Sequence, residues 1–276
     1  MHLVGNIDPL TKLLLHFDGD FCDYGSTGHA VTPHGDVHVD TGQKVFGTGS
    51  ADFDGDGDYL SIPDSEDWYF GTGNFTIDFW VKFRDVSSNV ALYTQVSDWV
   101  WSYYVRLYLY HDGSSSFLRF LAGAGDINTN LTCLWDDPPP KVDTWYHVAM
   151  VKNGTKLTLY VGGRAIGEYD GHTQVVPDIS APLFIGAAKA EGDPQDFDGW
   201  MDEIRISKGI ARWTSDFTPE GPYPIPRLRC YSEDTVKTQG SYSLKVVAEQ
   251  FGSLNHTLTS PDFSHPAPAE SLGGCS

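Results

Sequence analysis

The chain has few basic residues and no long apolar run, and both shortages restrict its function. Its 276 residues include 18 Lys and Arg against 37 Asp and Glu, a net charge of −19. A field of this sign repels nucleic acid and anionic membrane surfaces, so we expect no nucleic-acid partner. No apolar stretch approaches the roughly 20 residues of a membrane-spanning helix, so we expect no membrane insertion. The N-terminus lacks the basic and apolar regions of a signal peptide, so export would follow another route.

Cysteines are also scarce and widely separated. The four are Cys22, Cys133, Cys230 and Cys275, and none belongs to a Cys-x-x-Cys pair. This spacing gives no support to a zinc site or to thioredoxin-like chemistry. We expect four free or buried thiols, with a disulfide between Cys230 and Cys275 as the alternative.

Short segments with alternating side chains are abundant. In FTIDFWVKF (75–83), every second residue is Phe, Ile or Val, and the residues between them are Thr, Asp, Trp and Lys. This period of two predicts a strand with two unlike faces. Further strands are predicted at 12–17, 35–39, 49–53, 58–62, 90–96, 99–111, 116–121, 144–152, 155–161, 164–169, 182–187 and 200–207. We expect 74–84 and 144–152 to be central, 133–141 to be a loop, and at most one helical turn, at 208–212. Many short strands separated by turns predict an all-β sandwich or barrel.

The pattern divides the chain into a large domain and a short extension. Residues 1–220 hold most of the predicted strands, and 221–226 (GPYPIP) form a proline-rich hinge. Residues 227–276 restart a strand pattern but are too few for an independent sandwich. We expect this extension to be part of a second module, a pair of strands docked on the first domain, or an arm that pairs with a neighbouring subunit.

Several segments together resemble one known family. They include LLLHFDGDFCDYGSTGH, VFGTGSADFDGDGDYLSIPDS, FTIDFWVKF, DTWYHVAMVKNGTKLTLYVGGR, LFIGAA and FDGWMDEIRISKGIARWTSDFTP, in this order. The chain over residues 11–220 resembles the laminin-G-like branch of the concanavalin A-like lectin/glucanase superfamily. The resemblance implies an antiparallel jelly-roll β-sandwich, often a structural calcium ion, and an edge that binds a glycan or a protein. It does not fix the ligand.

Two groups of aspartates are candidate calcium ligands. Asp54, Asp56 and Asp58 continue a run that alternates with Phe and Gly, and clustered carboxylates suit a cation that takes six to eight oxygens. The alternative is a simple hairpin turn, since Asp-Gly favours such turns. The resemblance implies a second group, because the calcium ion of the family usually sits between an early loop and the closing strand. That group is Asp18, Asp20, Asp23 and Asp202.

The strand predicted at 99–111 offers a candidate ligand surface. Its alternation places Val105, Leu107 and Leu109 on the core face with Trp99, Trp101 and Tyr103. Tyr104, Arg106, Tyr108 and Tyr110 share the other face, where aromatic rings could stack against sugars. The alternative is an ordinary exposed sheet face, on which tyrosine is a favoured residue.

Catalytic motifs are absent from the sequence. Retaining glucanases of the resembled superfamily place two carboxylates about 5 Å apart, as Glu-x-Asp-x-Glu on one strand face. No such triplet occurs; Asp78 stands alone, and the adjacent Asp202 and Glu203 are expected on opposite faces. We therefore predict no enzyme activity.

The predicted function is attachment. We expect a non-catalytic lectin-like module for a glycan or a surface ligand, located outside the cell or on a virion surface. The acidic field favours a neutral or cationic ligand unless calcium bridges an anionic one. The alternative is a structural subunit or decoration protein of a particle or filament, forming a homo-oligomer through residues 227–276.

Overall fold

The computed structural model describes residues 8–97, 103–124, 127–188 and 195–223, together with two short strands beyond them. The strands in chain order are β1 (Thr11–Leu15), β2 (Thr32–His34), β3 (His38–Asp40), β4 (Ser50–Asp54), β5 (Tyr59–Ile62), β6 (Phe75–Phe83), β7 (Val90–Val96), β8 (Tyr103–His111), β9 (Ser116–Ala124), β10 (Ile127–Leu134), β11 (Trp145–Asn153), β12 (Lys156–Val161), β13 (Arg164–Tyr169), β14 (Leu183–Ile185), β15 (Asp198–Lys208), β16 (Arg229–Ser232) and β17 (Leu244–Val247). The described residues contain one 3-10 turn, Glu66–Trp68, and no α-helix.

Two antiparallel sheets form the domain. The first sheet has the order β13-β12-β11-β6-β15-β4-β3, and β1 also pairs with β15. The second has the order β10-β9-β8-β7-β14-β5-β2. The predicted all-β, antiparallel sandwich is therefore confirmed. The strands predicted to be central, β6 and β11, are neighbours inside the first sheet.

Strand β15 joins the early and middle parts of the chain. On one side it pairs with β6 along its length. On the other side, its first residues pair with β4 and its later residues pair with β1. A bulge between Asp202 and Arg205 interrupts the pairing with β6, and Glu203 at this bulge has a φ of 52°. The bulge changes which way the side chains of this strand point.

The core lies between the two sheets and is rich in aromatic rings. Phe83 and Phe53 each make an edge-to-face contact with Phe197, at centroid distances of 5.8 and 5.5 Å. Phe75 of β6 approaches Phe120 of β9 across the sandwich at 5.9 Å. Because these rings come from both sheets, they fix the face that each strand buries.

The outer face of the first sheet is covered by residues 209–223. Trp213 and Phe217 of this segment stack at 3.9 Å, and they pack against buried Ala149, Val151 and Tyr160. Gly163, with a φ of +79°, lies against the Phe217 carbonyl, where any Cβ would clash. The inner strands β6, β11 and β15 are therefore buried on both faces.

Several sequence expectations differ from the structure. Strands β2 and β10 were not predicted, and β10 extends into the predicted loop 133–141 as far as Leu134. The helical turn of the described residues lies at Glu66–Trp68 and not at 208–212. The start of the strand predicted at 99–111 lies outside the described residues, which resume at Tyr103. The expectation of four free thiols is wrong, because Cys22 is disulfide-bonded. Cys133 is a free, buried thiol. The alternative pairing of Cys230 with Cys275 lies outside the described side chains.

The chain divides into two compact units, and the main part of the larger one spans Pro9–Tyr223. The larger unit contains the sandwich, and the smaller one contains β16 and β17, which pair antiparallel. Within the described ranges, no helix has the length and apolar character needed to cross a membrane.

Candidate functional site

The outer face of β8 carries the tyrosines that the sequence singled out. Val105, Leu107 and Leu109 are buried in the core. The alternation along β8 therefore places Tyr104, Arg106, Tyr108 and Tyr110 on the opposite face of the second sheet. We call these four residues, together with Arg119 of β9, the tyrosine–arginine face.

Arg106 and Tyr108 lie on this face but are not freely exposed. Their exposed fractions are only 8% and 6%, whereas Tyr104 and Tyr110 are half-buried. The Arg106 guanidinium lies 4.7 Å from the centre of the Tyr108 ring and donates a 2.6 Å hydrogen bond to Gln195 Oε1. Burial raises the pKa of Tyr108, so its phenol is neutral at physiological pH. The accessible rings of this face are thus Tyr104 and Tyr110.

Arg119 is a member of this face that sequence reasoning missed. It pairs directly with Tyr108 across β8 and β9. Its guanidinium lies 5.5 Å from the centre of the Tyr108 ring and 4.9 Å from that of Tyr110. The signal was present in the sequence, because Leu118 and Phe120 of β9 are core residues and Arg119 between them must face outward.

An open groove lies where β8 ends and β9 begins. Its volume is about 430 Å³, and its lining includes His111, Ser114, Ser116, Trp135 and Asp136. The His111 ring approaches the Ser116 hydroxyl at 3.3 Å. The size is at the lower end of the range of small-ligand sites, and the lining offers hydroxyl and carboxylate groups. His111 follows Leu109 by two residues, so its side chain is on the core side of β8, opposite Tyr110, and the groove lies at the rim of the sandwich and not on the tyrosine–arginine face.

The run of aspartates after β4 contributes to one acidic cluster. Asp54 and Asp58 meet Asp36, which the sequence had not suggested, with ligand oxygens all within 4.8 Å. The buried Asp58 accepts hydrogen bonds from the backbone N–H of Asp36 (2.7 Å) and Asp54 (3.0 Å). Burial, and then the neighbouring Asp54 and Asp36 carboxylates, raise the pKa of Asp58 above its ordinary value. Asp56 is exposed, and its N–H donates to Asp54 at 2.8 Å.

The aspartates of the early loop accept hydrogen bonds from this loop, from β1 and from the loop before β4. Asp23 accepts hydrogen bonds from the N–H groups of Leu14 (2.9 Å), Gly25 (2.7 Å) and His29 (2.6 Å). Asp20 accepts one from the N–H of Cys22 at 3.0 Å. Asp18 accepts a hydrogen bond from the Thr48 hydroxyl at 3.1 Å.

Asp202 is the predicted metal ligand with a free oxygen. Its Oδ2 accepts the N–H groups of Val45 (2.8 Å) and Phe46 (3.1 Å). Its Oδ1 is buried and has no hydrogen-bond partner among the described residues. Burial, with a further contribution from Glu203, raises the pKa of Asp202 to about 7. A cation or a proton would satisfy this oxygen. The seven predicted aspartates thus lie in separate places and do not form one site.

Two other acidic side chains, Asp78 and Glu203, are joined in a buried network through Tyr223. Asp78 accepts hydrogen bonds from Arg205 at 3.1 and 3.0 Å and from the Tyr223 hydroxyl at 2.5 Å. Glu203 contacts His16 Nδ1 at 2.8 Å and accepts the N–H of Tyr223 at 2.9 Å. The expectation that Asp202 and Glu203 point to opposite faces is wrong. Asp202 pairs with Trp80, whose ring packs against His147, and His147 contacts the Tyr223 hydroxyl. Glu203 follows the bulge and accepts the N–H of the same Tyr223, so both carboxyl groups lie on the face that Tyr223 covers.

Comparison with known proteins agrees with this architecture. Residues 53–212 match the sequence profile of the concanavalin A-like lectin/glucanases superfamily, in its laminin G-like branch. No curated protein matches the chain in sequence.

Three solved structures illustrate the likeness in fold. Domain 4 of AbnA, a GH43 extracellular arabinanase from Geobacillus stearothermophilus, in complex with arabinotriose, aligns with a TM-score of 0.55 and 17% identity over 73% of this chain and 93% of that domain. The binding domain of Paraclostridial Mosquitocidal Protein 1 aligns with a TM-score of 0.56 and 14% identity over 72% of this chain. A structure of botulinum neurotoxin type C, whose cell entry depends on two ganglioside molecules, aligns with a TM-score of 0.56 and 16% identity over 74% of this chain. The alignments span 49% of each toxin chain. By its sequence match and its fold, the chain belongs to the concanavalin A-like lectin/glucanase superfamily.

Proposed function

We propose that this domain is a non-catalytic, lectin-like module that binds a glycan through the tyrosine–arginine face. The observation that carries the proposal is the ordered row of rings and guanidinium groups on the outer surface of β8 and β9. Tyr110 lies under Arg119 at 4.9 Å, so its ring is fixed in place before any ligand arrives. A fixed aromatic surface binds the apolar face of a sugar with little loss of conformational entropy.

The similar structures support a carbohydrate ligand. One is a domain in complex with arabinotriose, and another belongs to a toxin that interacts with gangliosides. Their low identities do not transfer a binding site, so the residues proposed here rest on the geometry of this chain.

The buried state of the acidic groups argues against hydrolysis. A retaining glycosidase needs two carboxylates about 5 Å apart that both reach the substrate. Asp78, Asp202 and Glu203 are almost completely buried, and their contacts are made to Arg205 and to other groups inside the domain. We therefore assign these residues to stability.

A glycan array probed with the full chain tests the proposal. Tyr104→Ala and Tyr110→Ala should each weaken binding about 2- to 13-fold, since stacking of an aromatic ring is worth about 0.5–1.5 kcal/mol. Tyr169→Ala is a matched control, because Tyr169 is an exposed tyrosine on the distant edge strand β13. Unchanged binding by both face variants would assign recognition to another surface. Hydrolysis of a polysaccharide by the wild-type chain would contradict the non-catalytic assignment.

We also propose that the module acts outside the cell or on a virion surface, where attachment to glycans takes place. The alternative role, a structural or decoration subunit, draws support from the β16–β17 pair outside the sandwich unit. Size-exclusion chromatography at several concentrations separates the two roles. Assemblies that dissociate when the chain is ended after Tyr223 would favour the structural subunit, and a monomer at every concentration would favour the binding module.

Calcium is proposed as a structural cofactor. The cluster of Asp36, Asp54 and Asp58 supplies three carboxylates, and a cation there would relieve their mutual repulsion. The orphan Oδ1 of Asp202 is the second place that suits a cation. Chelation should lower the Tm of the wild type. The variant that no longer responds to calcium, Asp54→Asn or Asp202→Asn, identifies the site. If neither calcium nor chelator changes the Tm of the wild type, the proposal is refuted.

A further inference from the structure

Arg119 is held in one position by several contacts. Two ring faces, those of Tyr108 and Tyr110, lie within 5.5 Å of its guanidinium. Its Nε donates a 2.9 Å hydrogen bond to Thr132 Oγ1, and that hydroxyl donates in turn to Asn130 Oδ1 at 2.7 Å. These contacts use Nε and the flat face of the group. Its two terminal nitrogens, the fork that binds carboxylates, make no hydrogen bond to any described residue.

The charge of Arg119 is the second feature of this residue. Acidic residues outnumber basic ones by 37 to 18 in this chain. Arg84, Arg164 and Arg205 each form an ion pair with an aspartate. Across the described part of the chain, Arg119 forms none. The side chain that accepts its hydrogen bond, Thr132, is neutral and therefore does not neutralise the charge of Arg119.

We propose that Arg119 binds the carboxylate of an acidic terminal sugar, of the uronic or sialic acid type. The planar guanidinium would donate two hydrogen bonds end-on to the carboxylate through its two terminal nitrogens, while the half-buried ring of Tyr110 beside it contacts the sugar carbons. This inference rests on the proposed glycan-binding function and specifies its ligand class. It also refines the expectation drawn from net charge. The overall charge of −19 opposes a dense polyanion, whereas a single carboxylate feels mainly the local guanidinium.

Matched acidic and neutral probes test the inference by titration calorimetry on the full chain. The probes are 3′-sialyllactose and a disaccharide ending in glucuronic acid, each compared with its own methyl ester. The wild type should bind at least one acid about tenfold or more tightly than its ester, because hydrogen bonds to charged groups are worth about 1.5–3 kcal/mol. Added salt should narrow this ratio.

Two variants assign the effect to Arg119. Arg119→Gln should reduce the affinity for the acid to that for the ester, and Arg119→Lys should restore part of the difference because it keeps the charge but not the fork. Arg164→Gln is the matched control, since Arg164 is largely exposed on β13, and it should leave the ratio unchanged. If Arg119→Gln does not fold, the inference is tested by two other measurements. These are the ratio of acid affinity to ester affinity in the wild type and the same ratio in Arg119→Lys.

The outcomes separate this inference from the proposed function. A wild type that binds esters as well as acids, or binds only neutral sugars on the array, overturns the carboxylate assignment and leaves the lectin function in place. An acid preference that persists in Arg119→Gln overturns it as well. A chain that binds no glycan at all overturns both.

Discussion

Replacing Asp78 with Asn tests the buried network that joins β6, β15 and the covering segment 209–223. The change keeps the shape of the side chain and removes its charge. Arg205, which donates two hydrogen bonds to Asp78, would remain buried without its counter-ion. The Tyr223 hydroxyl would lose its charged acceptor at the same time. We expect the sandwich to be destabilised.

The magnitude follows from the pKa of Asp78. Burial alone would raise this pKa, but Arg205 and His147 outweigh burial and lower it from 3.8 to about 2. That difference corresponds to about 2 kcal/mol of stability at neutral pH. Loss of one partner from a buried ion pair costs about 3–5 kcal/mol. We therefore expect Asp78→Asn to lower the free energy of unfolding by about 2–5 kcal/mol, equivalent to a fall in Tm of about 5–15 °C.

Urea denaturation as a function of pH is the assay. A carboxyl group with a lowered folded-state pKa stabilises the protein above pH 3.8 and loses this effect as the pH falls through about 2. The gap in stability between wild type and variant should therefore be widest above pH 5 and narrow towards pH 2. Asp137→Asn is the control, because Asp137 is 78% exposed and pairs with Arg164 at the surface. Equal stability of Asp78→Asn and wild type at pH 7 would refute the reasoning, as would a difference in stability that stays the same at every pH.

Two further predictions concern packing in the same domain. Gly167→Ala should destabilise the domain by about 1–3 kcal/mol, because the new Cβ would overlap the buried Cys133 sulfur. Cys133→Ala in the same chain should recover part of that loss, and purely additive effects in a urea double-mutant cycle would contradict the contact. Tyr223→Phe should cost about 1–3 kcal/mol, because its hydroxyl donates to the buried charge of Asp78. Tyr169→Phe, at an exposed position, is the thermal-melt control, and equal Tm values for the two variants would refute this role for the hydroxyl.

Much of the fold followed from local alternation. The 75–83 segment places Ile77 and Phe79 in the core and Asp78 opposite them, as a period of two requires. Strand β10 was missed because its first half, INTN, has one apolar residue, and its second half, LTCL, lies directly before a proline-rich loop. The bulge of β15 was missed because a positive φ at Glu203, a non-glycine residue, leaves no signal in the sequence.

The sequence by itself determined most of the strands and the faces that they bury, together with the family that implies two antiparallel sheets, because these depend on side-chain period and on ordered motifs. Only the tertiary structure decided which distant groups meet. Asp36 joins Asp54 and Asp58 across a loop, and Arg119 lies over the tyrosines of the neighbouring strand. The physical reason is that alternation acts between adjacent residues of one strand. Register and loop packing depend on the free energy of the whole sandwich, which no single segment of sequence contains.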